Sequence, residues 1–204
     1  IERQGGASFA VGADFNVEGS IGMLFEALDA ELQARTGTNR FDILVNNAGT
    51  PLMSPIETTT EAEYDRVMAI NAKTPFFLIQ QALPRLRDGG RIINTSSAVT
   101  RIAIPDIPVY SMSKGAINTL TLILSKQLGP RGITVNAICP GFVETDMNAG
   151  MLQHAESRQF GADFSVFGRW GQPADIANVA AFLASPDGGW VTGQCIDASG
   201  GAHL

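Results

Sequence analysis

Tyr110, Lys114 and Ser97 are residues that could move one proton together. The run Tyr110-Ser111-Met112-Ser113-Lys114 opens a long apolar helix pattern, and Tyr110 follows Ser97 by thirteen residues. Because residues i and i+4 of a helix lie on one face about a turn apart, the Lys114 cation is expected beside the Tyr110 ring. A nearby positive charge favours the phenolate over the phenol, whose ordinary pKa is about 10. We therefore expect Lys114 to lower the pKa of Tyr110 toward the range that serves acid–base catalysis.

The spacing alone is weak evidence, because an amphipathic helix can carry Tyr and Lys one turn apart for packing only. Stronger evidence comes from three polar motifs that each follow an apolar strand pattern, namely Asn46-Asn47-Ala48-Gly49, Ser96-Ser97 and Pro140-Gly141. Ligands of open α/β sheets bind beyond the carboxyl ends of the strands. Each motif taken singly could be an ordinary turn, but the three together predict one cleft that Ser97 and Tyr110 share.

Strand and helix patterns alternate along the whole chain, which is typical of a parallel sheet covered on both faces. Strands are expected at residues 8–12, 41–45, 91–95, 133–139 and 193–197, and helices at about 20–35, 60–87, 110–128 and 174–184. Residues 146–168 form a mixed segment, which we call the lid. The sequence predicts a doubly wound, Rossmann-like α/β fold, with residues 1–204 in a single domain.

Pro75 lies inside the second helix pattern, which a capping box of Thr60 and Glu63 begins. A proline ring clashes with the carbonyl of residue i−4 and removes a hydrogen bond, and that carbonyl belongs to Asn71. A freed carbonyl in a partly buried cleft needs a partner, for which an ordered water is suited. We expect such a water to connect Asn71 with Lys114, although Pro75 could merely bend the helix around the core.

The composition excludes several classes of protein. The net charge of −6 and the lack of Lys/Arg runs argue against nucleic acid and membrane surfaces as partners. No apolar stretch approaches the roughly 20 residues that span a bilayer. Cys139 and Cys195 fall in apolar strand patterns and are expected to be buried free thiols, and neither they nor His154 and His203 indicate a metal site. A soluble, cytoplasmic protein is expected.

Taken together, these residues resemble the short-chain dehydrogenase/reductase family over essentially the whole chain. The matching motifs are Asn46 to Gly49, Asn71, Ser97, Tyr110 with Lys114, Pro140-Gly141-Phe142-Val143-Glu144-Thr145, Phe182-Leu183-Ala184-Ser185, and Val191-Thr192-Gly193-Gln194 with Gly200-Gly201. The resemblance implies that Asn71, Ser97, Tyr110 and Lys114 form a catalytic tetrad. It implies an NAD(P)-dependent oxidoreductase that transfers a hydride between nicotinamide and a carbonyl or secondary alcohol, with Tyr110 as general acid or base.

The resemblance also implies a set of cofactor contacts and no metal. These contacts lie in three loops and on the helix at 110–128, and they are Asp14, Phe15, Asn47, Ala48, Gly49, Tyr110, Lys114, Pro140, Gly141, Val143 and Thr145. Within this set, Asp14 would contact the adenine side and Lys114 the hydroxyls of the nicotinamide ribose. Val143 and Thr145 would hold the carboxamide and pyrophosphate region.

Members of the family begin with a strand and a Gly-x-x-x-Gly-x-Gly loop that binds the pyrophosphate at a helix N-terminus. This sequence begins at a pattern like the third strand, so we expect a preceding strand–helix–strand unit of roughly 40–50 residues, which also decides between NAD and NADP. The alternative is a non-catalytic or truncated form without a working cofactor site, in which the fold serves assembly or regulation. The complete tetrad favours the enzyme, whereas the lack of the glycine-rich loop in this sequence favours the alternative.

Substrate identity is weakly encoded. The overall pattern is similar to the 3-oxoacyl-acyl-carrier-protein reductases, which use NADPH, so a ketone or 3-oxoacyl substrate and a slight preference for NADPH over NADH are implied. Phe160, Phe164 and Phe167 could form an apolar wall for the substrate or could only pack the lid onto the core. Helices 61–87 and 110–128 have wide apolar faces, and their counterparts pair between subunits in the family, which implies a homotetramer or dimer.

Overall fold

The computed structural model describes residues 1–202, so His203, which we do not expect to bind a metal, lies outside the described residues. Its centre is a four-stranded sheet with the strand order β1-β2-β3-β4. The strands are β1 (Phe41–Asn46), β2 (Leu86–Thr95), β3 (Thr134–Pro140) and β4 (Cys195–Ala198). Every neighbouring pair is parallel, which confirms the predicted α/β class.

The helices that flank the strands are α1 (Ser20–Thr36), α2 (Glu61–Met68), α3 (Thr74–Ala82), α4 (Pro108–Leu128), α5 (Ala149–Leu152), α6 (Ala155–Asp163) and α7 (Pro173–Ala184). The expected capping box begins α2, because the Thr60 side chain accepts from the Glu63 N–H and Glu63 Oε2 accepts from the Thr60 N–H. Prolines in the first turn, where no backbone donor is needed, begin α4 and α7.

Apolar side chains cover the sheet on both faces. One face packs against α3 and α4 through a buried cluster that consists of Ile79, Leu86, Ile92, Leu124, Leu128, Ile133 and Val135. The opposite face packs against α7 through Ile93, Ile138 and Leu183. Consecutive residues such as Ile92 and Ile93 point to opposite faces of a strand, so both clusters draw on the same strands. Full burial of one such side chain contributes about 1.5–3 kcal/mol to folding stability. Apolar packing on both faces of the sheet therefore holds the strand ends in place.

Two expectations about the elements are wrong. Residues 8–12 form no strand, because no strand within residues 1–202 pairs with them and a lone β-like run leaves its backbone groups unpaired. The helix expected to reach residue 87 ends at Ala82. It ends early because the chain must re-enter the sheet, where Leu86 already pairs with Phe41 and is fully buried.

The single helix expected around Pro75 is divided by a π-helical turn. Between α2 and α3, Ala69–Lys73 form one π-helical turn, after which the Thr74 N–H donates to the Ala69 carbonyl. Pro75 directly follows this turn, so its missing N–H falls where the i−5 bond of Thr74 ends the π-helical pattern. Single π-turns inside helices occur frequently at functional sites, and this one contains Asn71, whose side chain is 1% exposed.

A buried polar chain runs across the sheet into α4. Asn46 Nδ2 donates to Asn94 Oδ1 at 2.9 Å, and Asn94 Nδ2 donates to Thr121 Oγ1 at 2.9 Å. All three residues are buried. Directional bonds of this kind fix the ends of β1 and β2 relative to the helix that carries Tyr110.

The two cysteines are free, but they differ in exposure. Cys139 is buried in β3, as expected, whereas Cys195 is exposed, because it begins the edge strand β4. The expectation of two buried thiols is therefore wrong for Cys195. Within residues 1–202, none of the helices has the length and apolar character that crossing a membrane requires.

Candidate active site

The three polar motifs meet at the carboxyl edge of the sheet, as expected. The last residues of β1, β2 and β3 are Asn46, Thr95 and Pro140. Two bonds connect the loops that follow: the Thr95 hydroxyl donates to Asn47 Oδ1 at 3.2 Å, and the Ser96 N–H donates to the Ile138 carbonyl at 2.8 Å. These bonds hold the ends of the three strands next to one another, so the loops that follow them lie at one site.

Asn71 fixes the first of these loops. Its Oδ1 accepts from the Thr50 N–H at 2.8 Å, and its Nδ2 donates to the Thr50 carbonyl at 2.9 Å and to Ser113 Oγ at 3.0 Å. Both N–H groups of the amide are therefore used within the protein. The Asn71 side chain connects the loop after β1 with α4 and has no donor left for a substrate.

Lys114 lies buried between the first two strand ends. Its Nζ donates to the Thr95 carbonyl at 2.9 Å and lies 5.7 Å from the centre of the Tyr110 ring. Only 4% of the residue is exposed, and this burial lowers the pKa of Lys114 to about 8. A Cβ on Gly49 would lie 3.5 Å from Nζ, so the missing side chain leaves one flank of the ammonium open.

The pKa of Tyr110 corrects the first expectation drawn from the sequence. Burial raises the pKa of the phenol above its ordinary value, and a hydrogen bond with the Ser97 side chain opposes part of the rise. Lys114 stands beside the ring as predicted, but it does not lower this pKa. The reason is desolvation: burial disfavours the charged forms of both groups, so the cation that should assist the phenolate is itself weakened.

Ser97 completes the cluster. It is 8% exposed, and it begins the short 3₁₀ turn Ala98–Thr100, whose Val99 N–H donates to its Oγ at 3.4 Å. The thirteen-residue separation from Tyr110 is bridged by this turn and the following loop, so both hydroxyls face one point. The structure thus brings Ser97, Tyr110, Lys114 and Asn71 to the same edge of the sheet.

The site fits a nucleotide cofactor. An ammonium has three N–H donors, and within residues 1–202 Lys114 Nζ makes one hydrogen bond, to the Thr95 carbonyl. The remaining donors, next to the open flank at Gly49, suit the hydroxyls of a ribose. At the end of β3, Gly141 lies so close to Ser199 that a Cβ would meet the Ser199 backbone at 3.0 Å, so this position favours glycine.

The other cofactor contacts implied by the resemblance divide into two groups. Val143 is buried and forms a parallel bridge with Gly171, and Thr145 is exposed at the start of the lid. Both continue from the end of β3, next to the cluster. Asp14 and Phe15 lie in the loop before α1, where Asp14 accepts hydrogen bonds from Asn16. Within residues 1–202, no hydrogen bond joins Asp14 to the Tyr110 cluster.

The lid is anchored by aromatic packing. Phe142 contacts the rings of Phe160, Phe164 and Trp170 at centroid distances of 6.0, 5.0 and 5.2 Å. Trp170 Nε1 donates to the Arg158 carbonyl at 2.7 Å. Of the two roles considered for these rings, a substrate wall or packing of the lid, Phe160 and Phe164 have the packing role. Phe160 nevertheless keeps half of its surface exposed. Phe167, at 70% exposed, lies outside this aromatic cluster.

Sequence reasoning missed two residues of the site. Thr50 provides backbone partners for Asn71, and Ser113 provides a side-chain acceptor. Thr50 directly follows the Asn-Asn-Ala-Gly motif and could have been found as the next residue of the loop. For Ser113, the only signal is a hydroxyl one position before Lys114, which a single sequence cannot separate from an ordinary polar helix position.

Comparisons with known proteins agree with this geometry. A family profile described as enoyl-(acyl carrier protein) reductase matches residues 1–203. An uncharacterized oxidoreductase of Methylorubrum extorquens is 40% identical over 204 residues, which is the whole of this chain and 80% of the relative. Two solved structures match with a TM-score of 0.94 each. One is the angucycline C-6 ketoreductase LanV with bound NADP, which is 48% identical; the match covers 98% of this chain and 77% of the LanV chain. The other is the promiscuous reductase LugOII, which is 43% identical; the match covers 100% of this chain and 80% of the LugOII chain.

The parallel sheet and the residues at its carboxyl edge define an enzyme of the Rossmann type. The family profile and the similar proteins make the assignment specific: the chain belongs to the short-chain dehydrogenase/reductase family and is an NAD(P)-dependent oxidoreductase of that family.

Proposed function

We propose that this protein is an NADPH-dependent ketoreductase in which Tyr110 delivers the proton to the carbonyl oxygen of the substrate. The observation that carries the proposal is the convergence of the Ser97 hydroxyl, the Tyr110 phenol and the Lys114 ammonium at one buried point beyond the sheet. Bound NADPH would supply the hydride. The protein would supply the proton, the orientation and the dry surroundings.

Each member of the cluster has a separate role in this proposal. Hydride addition to a carbonyl makes negative charge on its oxygen, which the Ser97 hydroxyl stabilises by hydrogen bonding while Tyr110 transfers its proton there. Lys114 binds the ribose hydroxyls beside the Tyr110 ring. Asn71 positions these groups through Thr50 and Ser113. Asn47, Ala48, Gly49, Pro140, Gly141, Val143 and Thr145 line the cofactor side, with Asp14 and Phe15 toward the adenine.

The raised pKa of Tyr110 supports reduction as the working direction. A phenol whose pKa lies above its ordinary value is protonated at neutral pH and is ready to act as an acid. Oxidation of an alcohol would need the phenolate, which burial disfavours. The same burial that overturns the expectation about Lys114 thus keeps Tyr110 in the protonated form that a reduction uses.

For the substrate, we propose a ketone on an apolar polycyclic ring. LanV is an angucycline C-6 ketoreductase and LugOII catalyses a keto-reduction at C1 in lugdunomycin biosynthesis. The similarity to LanV, at 48% identity, supports a related substrate and NADPH as cofactor. The expected partners stay the same with this choice: a small-molecule substrate, and neither nucleic acid nor a membrane. Two free thiols are compatible with the reducing cytoplasm.

A second candidate, reduction of an enoyl thioester, is favoured by the description of the family profile. One experiment separates the two. NADPH and NADH consumption by the full-length protein is measured with a bicyclic aromatic ketone, an acetoacetyl thioester and a crotonyl thioester. We expect the ketone with NADPH to give the highest kcat/KM. Turnover of the crotonyl thioester alone would favour the enoyl reductase, and no turnover with any substrate would favour the non-catalytic alternative.

We also propose that the protein is a homo-oligomer, a tetramer or a dimer. Trp190 is 99% exposed, and Phe76, Leu122 and Ile123 on α3 and α4 each expose about half of their surface or more. Exposed apolar surface of this kind marks contacts between proteins. Light scattering after gel filtration should show an oligomer that Trp190→Glu weakens. A monomeric parent protein would contradict this proposal.

A further inference from the structure

Ser113 connects two residues of the candidate tetrad that lie on different elements. Its hydroxyl donates to the Tyr110 carbonyl at 2.7 Å and accepts from Asn71 Nδ2 at 3.0 Å. Ser113 is 0% exposed and Asn71 is 1% exposed. A hydroxyl offers one donor and two acceptor sites, so a single group can serve both bonds. The result is a continuous chain of hydrogen bonds from the Thr50 backbone to the first turn of α4.

This chain joins three segments that the sequence separates. Thr50 follows β1, Asn71 lies in the π-helical turn, and Ser113 lies in α4. The orientation of the Asn71 amide depends on both acceptors, because one of its N–H groups points to the Thr50 carbonyl and the other to Ser113 Oγ. Without the hydroxyl, one buried N–H loses its acceptor, which is unfavourable enough to make the amide move.

We propose that Ser113 is a positioning residue, which sets the place of Asn71 relative to Tyr110 and Lys114. This inference rests on the proposed ketoreductase function. Ser113 does not touch the reacting atoms, since both of its bonds are internal to the protein. It acts through Asn71, and Asn71 in turn holds the loop that carries Gly49 beside the Lys114 ammonium.

The test compares Ser113→Ala with a matched control on the same helix. The Ser125 hydroxyl donates to the Leu122 carbonyl at 2.8 Å, so Ser125→Ala removes the same kind of bond to residue i−3 without affecting Asn71. We expect Ser113→Ala to lower kcat about tenfold, with KM values for NADPH and ketone changed less than about twofold. Ser125→Ala should match the parent enzyme, and Ser113→Thr, which keeps the hydroxyl, should recover most of the loss.

A double-mutant cycle and a readout independent of activity complete the test. If Ser113 acts through Asn71, then Ser113→Ala should cause no further loss in an Asn71→Ala background. Hydrogen–deuterium exchange of the Thr50 amide, which donates to Asn71 Oδ1, should become faster in Ser113→Ala and not in Ser125→Ala.

Additive losses in the cycle, or parental kcat together with parental Thr50 exchange in Ser113→Ala, would overturn the inference. An inactive parent enzyme is a different result. It would contradict the proposed function, and the exchange measurement would then decide alone whether Ser113 holds Asn71 in place.

Discussion

The polar wall of the site and the lid differ in how they are held in place, because only the lid is packed through a cluster of aromatic rings. The polar wall consists of residues that are mostly buried, namely Thr50, Asn71, Thr95, Ser97, Tyr110, Ser113 and Lys114. Hydrogen bonds between 2.7 and 3.0 Å connect Thr50, Asn71, Ser113 and Tyr110 and, separately, Lys114 with Thr95, while the Ser97 side chain bonds with that of Tyr110. The lid, residues 146–168, is attached through the ring contacts of Phe142 and Trp170, in addition to hydrogen bonds such as that from Trp170 Nε1 to the Arg158 carbonyl. Directional bonds set exact positions, whereas ring contacts fix a distance and tolerate some sliding.

This difference separates chemistry from selectivity. A proton donor needs a defined position, which the polar wall provides through hydrogen bonds between the loop after β1, the π-helical turn and α4. A segment that covers substrates of different shape gains from contacts that can adjust, and Phe160 and Phe167 keep large exposed surfaces for that purpose. We therefore expect changes in the polar wall to lower kcat, and changes in the lid to alter stability and substrate KM.

The largest effect is expected for Tyr110→Phe, which removes the proton donor and keeps the ring. General acid–base catalysis typically contributes 10²–10⁴-fold, so kcat should fall by about that factor. NADPH affinity, measured by cofactor fluorescence, should remain within about threefold because Lys114 is retained. The control is Tyr64→Phe at the exposed Tyr64, the second of the two tyrosines in the chain. Near-parental turnover in Tyr110→Phe would show that the Tyr110 phenol is not the proton donor, which would contradict the role of the polar wall.

A smaller effect is expected for Gly161→Ala, which breaks the anchorage of the lid. A Cβ there would lie 2.3 Å from Cζ2 of Trp170, so the indole or α6 must move. Overpacking of this kind costs about 1–3 kcal/mol. We expect a lower Tm, a red shift in the emission of the buried Trp170 and a higher KM for the ketone, with kcat retained.

Gly150→Ala is the matched control for the lid, because a Cβ at Gly150 has open space around it. It should leave Tm, emission and KM unchanged. If Gly161→Ala lowers kcat as strongly as Tyr110→Phe, the lid and the polar wall are not separate, and the comparison fails.

The smallest effect at neutral pH concerns the charge of Lys114. Burial lowers its pKa to about 8, so the ammonium loses its proton as the pH rises through that value. The pH profile of kcat/KM, which reports on groups of the free enzyme, should therefore decline above about pH 8. In Lys114→Arg the cation persists, so activity should be lower but without this decline. If kcat/KM of Lys114→Arg still declines above about pH 8, the decline belongs to the titration of another group.

The sequence predicted what depends on local spacing and failed where the outcome depends on burial. The short apolar runs predicted strand ends at residues 45, 95 and 139, within one residue of the observed ends at Asn46, Thr95 and Pro140. The one-turn separation of Tyr110 and Lys114 follows from helix geometry. The pKa of Tyr110 was predicted in the wrong direction, because desolvation is a property of the packed protein.

Contacts between residues that lie far apart in the chain could not be predicted from the sequence either. Nothing near Ser113 in the chain indicates that Asn71, 42 residues earlier, donates to it. The early end of α3 at Ala82 likewise depends on the pairing of Leu86 with Phe41, a contact between elements. Cys195 lies in an apolar strand pattern like that of the buried Cys139. Its position on the edge strand, which the pattern does not reveal, exposes it.

The most direct test of the central claim is a single-turnover reaction of the full-length protein, in excess over NADPH, with a bicyclic aromatic ketone. The account predicts that NADPH is consumed in proportion to the alcohol formed, and that Tyr110→Phe binds NADPH but slows this turnover at least about a hundredfold. Equal single-turnover rates for the two proteins, or bound NADPH that no ketone oxidises, would contradict it.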